Sequence, residues 1–172
     1  MGGAGTARPA RRRGESTTGD DLSASRRSQR VRQALQRILG NPRATAAQRA
    51  EALSLLGRNI KDRWRGGWAG AGGDQARRQA LRSPYLLQAY EKYKQGFDED
   101  LNAYYPGLNA LSLLTIAIEL ARRQPELWEA RFQDAAEAAK AIKDLESQRH
   151  VLSGAVAAAL GAAEARRAQA GG

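Results

Sequence analysis

The sequence has no cysteine, one histidine, one methionine and two phenylalanines. Without thiols, disulfides, thiolate metal sites and cysteine nucleophiles are all excluded. Any Ser-His-Asp site would have to use His150, and no nucleophile motif accompanies it. Long hydrophobic runs are missing too. The longest, Ala110 to Ala121, is too short to cross a bilayer and carries Glu119. The basic stretch Met1 to Arg13 is followed by no apolar segment, so it does not read as a secretory signal. The glycine run at 66–73 lacks the Lys-Ser/Thr ending of a phosphate loop. Asp98, Glu99 and Asp100 cluster without the ligand spacing of a calcium loop. These absences lead to a soluble, cytoplasmic, non-enzymatic protein with no cofactor, no metal and no membrane span as the expectation.

What is present is basic and helical. The 172 residues are 42% hydrophobic, enough for a core, although much of that is alanine, which buries little area per residue. The net charge of +10 is uneven: residues 1–82 hold 18 Lys and Arg against 6 Asp and Glu, residues 83–172 hold 10 against 12. A basic half can attract nucleic acid, anionic lipid or an acidic protein surface. Residues 1–24 carry few large apolar groups and read as a disordered basic tail.

Residues 25–170 read as one helical domain. Val31, Leu35, Ile38 and Leu39 give a short helix from Ser25, with Gly40 as a left-handed cap and Pro42 as a stop. Thr45-x-x-Gln48 is a capping box, followed by the seam Ala46, Ala50, Leu53, Gly57, Ile60 and Trp64. The stretch GGWAGAGG at 66–73 has the composition of a flexible loop, with Trp68 expected to dock on the core. Asp74 to Leu81 adds one or two helical turns. Leu86, Ala89, Tyr90, Tyr93 and Phe97 recur at steps of three and four, on one face of a helix started by Ser83-Pro84. From Leu108 to Arg123 the pattern is apolar except for Ser112, Thr115 and Glu119. Between these helices, Tyr105-Pro106-Gly107 and Asn109 read as a dense turn, because proline pushes the preceding residue out of helix. A helix carrying Leu127, Trp128, Phe132, Ala135, Ala139, Ile142 and Leu145 follows Pro125. The pattern then breaks near His150 to Gly154 before a last alanine-rich helix.

Ala89-x3-Tyr93 and Leu53-x2-Leu56-Gly57-x2-Ile60 fit the two halves of a tetratricopeptide unit. Gly96-Phe97, Tyr105-Pro106-Gly107, Asn109-Ala110 and Leu113-Leu114, with Leu56-Gly57 and Lys61-Asp62, carry a closer likeness. Over about residues 45–125 the chain resembles the tetratricopeptide-type TRAFs-binding domain of apoptosis-signal-regulating MAP kinase kinase kinases and many bacterial proteins. The resemblance implies an all-α fold, antiparallel helix pairs in a short right-handed solenoid, here a truncated or minimal array. It also implies a protein-interaction module or scaffold in a signalling or stress-response assembly.

In such arrays the first helix of each pair lines the concave side. On one such helix Ser54, Arg58, Lys61 and Arg65 form a polar stripe, and on the next Ser112, Thr115 and Glu119 do. The expected partner is a protein or peptide with an acidic or carboxylate-bearing segment, held by Arg58, Lys61 and Arg65. Gly57, Gly96, Phe97, Tyr105, Pro106, Gly107 and Asn109 are expected to be structural. Two alternatives stand beside this reading: an Arg-rich anion- or nucleic-acid-binding protein, and an accessory region of an effector enzyme whose catalytic domain is on another chain.

Overall fold

The computed structural model describes residues 17–171, and among them every element is an α-helix. In order these are α1 (Thr17–Leu39), α2 (Ala46–Gly66), α3 (Gly73–Arg82), α4 (Tyr85–Glu99), α5 (Tyr104–Arg123), α6 (Pro125–Glu129) and α7 (Ala135–Ala170). The chain divides into two units, residues 1–34 and 35–172. In the first unit only α1 from Thr17 is described, so most of the expected basic tail lies outside the described residues.

The second unit takes in Leu35, which is buried, and everything after it. Gly40 keeps a negative φ, since Gly73 at φ +54° is the only positive-φ residue described. In place of the left-handed cap expected of Gly40, its N–H keeps a helical bond to Gln36 O at 2.9 Å and Asn41 N closes a tighter turn on Ile38 O at 3.1 Å. The capping box at α2 is complete: Gln48 N donates to Thr45 Oγ1, and Thr45 N donates to Gln48 Oε1. Two orphan donors at the helix start are thereby satisfied. Along the expected seam Ala50, Leu53, Gly57 and Trp64 are buried, Ile60 is half-buried, and Ala46 is exposed at the helix end.

Contacts run antiparallel through the unit. Arg49 meets Glu99 at 2.7 Å, and Gly57 faces Tyr93, so α2 and α4 descend side by side. α4 packs in turn on α5, and α5 on α7. Two pairs result, α2 with α4 and α5 with α7, each with a short helix inserted between its partners. The insertions are anchored alike. Trp64 donates its indole N–H to Ala80 O and Trp128 to Ala138 O, both at 3.0 Å. Buried indoles need such acceptors, and each fixes the chain that follows it.

Glycines set how closely the helices approach. A Cβ on Gly57 would stand 2.9 Å from the Tyr93 ring, and one on Gly96 would meet Ala50 O at 3.0 Å. Gly107 has Val156 at 2.8 Å and Phe97 at 3.0 Å from the same position. This last contact corrects the expected turn. Tyr105, Pro106 and Gly107 lie in the first turn of α5, which begins at Tyr104 rather than Leu108. Pro106 is tolerated there because the first N–H groups of a helix have no intrahelical partner to lose. Gly107 is needed for contact, not for conformation. Asn109 is likewise helical.

The C-terminal end is corrected as well. Asp134 accepts from Glu137 N at 2.8 Å and caps α7, which then runs unbroken through His150 to Gly154. His150 is exposed. Gly154 costs a helix about 1 kcal/mol, which is too little to break it. The expected faces of α4 and α5 are otherwise as read. Tyr93, Phe97, Leu114 and Ile118 are essentially inaccessible, and Leu111 is half-buried.

Two contrasts test this packing by thermal melting. Gly107→Val should cost about 1–3 kcal/mol by overpacking. Gly154→Ala, whose methyl meets nothing within 4 Å, should gain about 1 kcal/mol of helix propensity. A Gly107→Val protein melting at the wild-type temperature would remove the close-contact role. On α4, Phe97→Ala should lose about 3–5 kcal/mol. Tyr93→Phe should lose nothing and gain up to about 1 kcal/mol, because the Tyr93 hydroxyl is buried without a partner among the described residues. A clear loss for Tyr93→Phe would contradict that assignment.

Candidate functional site

The first helices of the two pairs, α2 and α5, are bridged by one polar contact. Lys61 Nζ donates to Asn109 Oδ1 at 2.7 Å and stands 5.2 Å above the Tyr93 ring. Asn109 is held in turn, its Nδ2 donating to Tyr105 O at 3.0 Å. Burial pushes the Tyr93 phenol well above its usual pKa, so the ring beneath Lys61 stays neutral. A long flexible ammonium is therefore pinned at one place.

Beside this bridge lies a groove of about 570 Å³. Lys61, Trp64 and Arg65 of α2 form one side, and Asn109, Ser112, Leu113, Ile116 and Leu120 of α5 the other. Ala76, Arg77 and Ala80 of α3 make a third wall, with Trp68 at the turn. Trp64 and Trp68 meet edge to face, 5.3 Å between ring centres. The stretch at 66–73 is thus a built turn: Ala69 N donates to Arg65 O and Ala71 N to Trp68 O, each at 3.0 Å. Trp68 packs on the core, as its size demands.

The groove is electrostatically one-sided. Lys61, Arg65 and Arg77 line it, and no carboxylate does. Arg77 has Asp74 at 3.7 Å, an exposed pair of little strength. Asp74 is engaged chiefly by Arg78 and by Gln124, and both hold its carboxyl below the usual carboxylate range. Among the described residues Arg65 has no carboxylate within ion-pair distance. Hydrophobic surface dominates the rest of the lining, and Ile116 keeps 38% of its surface in water.

Of the residues expected to bind a partner, Lys61, Arg65 and Ser112 come together here. Arg58 is exposed one turn before Lys61 and does not line the groove. Ser54 is buried, its hydroxyl donating to Ala50 O at 2.7 Å. Thr115 bonds back to Leu111 O, and Glu119 pairs with Arg122 and Arg123. The α5 stripe that faces the groove is instead Asn109, Ser112, Leu113, Ile116 and Leu120, one step around the helix. Its spacing of three and four was readable in the sequence. Arg77 and Trp68 could be placed there only once α3 was known to fold back.

No helix among the described residues is long and apolar enough to cross a membrane. No curated protein and no solved structure matches the chain. Residues 8–114 match the family model described as Tetratricopeptide Repeats-Sensor, more than half of the sequence. The all-helical pairs described above are of the tetratricopeptide kind, whose usual work is protein interaction. The chain belongs to the tetratricopeptide repeats-sensor family.

Proposed function

We propose that this chain is a non-enzymatic recognition module whose α2–α3–α5 groove takes an acidic, apolar-anchored segment of a partner protein. The observation that supports this reading is the groove itself, with three cations, no carboxylate and an apolar floor. Lys61 and Arg65 act as the charged anchors, and Leu113, Ile116 and the two indoles supply the apolar contact. Binding of this kind needs only a rigid cleft and complementary charge, since charge-assisted contacts carry specificity and apolar anchors carry affinity. The resemblance to the TRAFs-binding domain and the word sensor in the family description both favour work in a cytoplasmic signalling or stress-response assembly.

A display library of random peptides, selected against the whole protein, tests the reading. Enriched binders should carry Asp or Glu interleaved with Leu, Ile or Phe. Lys61→Glu with Arg65→Glu should weaken them by about 1–3 kcal/mol with the helical fold retained, whereas Lys61→Gln, which keeps a donor for Asn109, should weaken them less. Basic or purely apolar winners, or affinity indifferent to that double reversal, would overturn it. Tight, steeply salt-dependent binding of unrelated DNA would move the function to the Arg-rich half.

A further inference from the structure

The third wall changes what the groove can hold. In plain stacked helix pairs the inner face is open, and an extended peptide can run across it. Here α3, which links α2 to α4 in the chain, folds over that face and packs on α5, and Trp68 stands beside Trp64 at its end. The space left, about 570 Å³, falls within the roughly 300–1,000 Å³ of small-molecule pockets. We infer that this pocket is an effector site for a small apolar monoanion, a carboxylate or sulfonate on a hydrocarbon or aromatic body. Its occupancy competes with the partner's acidic segment, and that competition rests on the function proposed above.

The class of ligand follows from the lining. Lys61 is fixed by Asn109 and the Tyr93 ring, so it presents its charge at little entropic cost. Arg65 stands one helical turn farther along the same face, giving one anion two donors. Apart from Arg77, Asn109 and Ser112, the opposite walls are alanine, leucine, isoleucine and indole, which suit a hydrocarbon or an aromatic ring. A polyphosphate fits poorly. The walls are mostly the sides of helices, whose backbone N–H groups are already used, and the glycine turn offers no Lys-Ser/Thr phosphate cradle.

Three ligands sharing one tail separate charge from apolar fit: decanoate, decanol and decylammonium, titrated into the whole protein and followed by tryptophan fluorescence and calorimetry. Decanoate should bind at least tenfold more tightly than decanol, and decylammonium more weakly than either. Lys61→Gln with Arg65→Gln should abolish the decanoate advantage and leave decanol affinity as it was. Backbone chemical shifts should move in Lys61–Trp68 and Ala76–Ala80, and stay still around the smaller hollow that contains Leu101 and Val151. Decanoate should also displace the selected acidic peptides. Equal affinity for decanoate and decanol, or shifts confined to the Leu101 hollow, would overturn the inference. Peptide binding with no decanoate binding would overturn it while leaving the proposed function standing. Decanoate binding with no acidic peptide selected would do the reverse for the pocket and the function.

Discussion

A tyrosine ring lies against a glycine. Tyr93 is fully buried, and its ring edge would stand 2.9 Å from any Cβ at position 57. The same helix pair repeats the device in reverse, with Gly96 of α4 against the α2 backbone at Ala50. These two contacts fix how closely α2 and α4 approach and in which register. Well-packed interiors pass such constraints on, because close-packed side chains leave no slack. Phe97, one residue after Gly96, then meets Gly107 and so sets α5, and Val156 closes the same spot from α7. The order of the helices follows from three aromatic or branched side chains and one backbone carbonyl seated on three glycines. Tyr93 has a second role. Its ring lies under Lys61, so the contact that registers α2 on α4 also aims a cation into the groove.

The groove is therefore a consequence of packing and of an insertion together. α2 and α5 supply the floor, α2 supplies two of the three cations, and α3 supplies the wall and the third, Arg77. α3 is short and strongly polar, so its position depends on specific bonds more than on buried area: the Trp64 indole to Ala80, and Asp74 to Gln124. The outer pair repeats the plan, with Trp128 bonded to Ala138 between α5 and α7. An insertion that packs by an indole hydrogen bond leaves the paired helices undisturbed, which is how a helical repeat acquires a shaped groove.

Much of this was legible in the sequence, where periodicity or capping chemistry speaks directly. The buried face of α4 was read residue by residue, since Leu86, Ala89, Tyr90, Tyr93 and Phe97 keep one helical period. Thr45-x-x-Gln48 marked the start of α2 correctly, because a capping box is local chemistry. What failed was local preference overruled by position or by contact. Pro106 disfavours helix before it, yet in a first turn it costs no hydrogen bond, so α5 starts earlier than the rule suggests. Gly107 and Asn109 carry turn-like identities but serve a close contact and a bridge to Lys61. The continuity of α7 was hidden because exposed glycines weaken a helix without ending it. The groove was half legible: Lys61 and Arg65 lay on a visible stripe, while Arg77 and Trp68 reach it only through the fold of α3.

The dependence of the whole on the Gly57–Tyr93 contact is open to one decisive measurement, a double-mutant cycle read by chemical denaturation. Gly57→Ala in the wild-type background should destabilise, because the rigid ring cannot yield although alanine is the better helix former. In a Tyr93→Ala background, where the ring is gone, the same Gly57→Ala change should become neutral or stabilising. A coupling of opposite sign to the single-mutant cost, larger than about 0.5 kcal/mol, is the result expected. Equal effects of Gly57→Ala in both backgrounds would contradict the claim that this contact registers the helices.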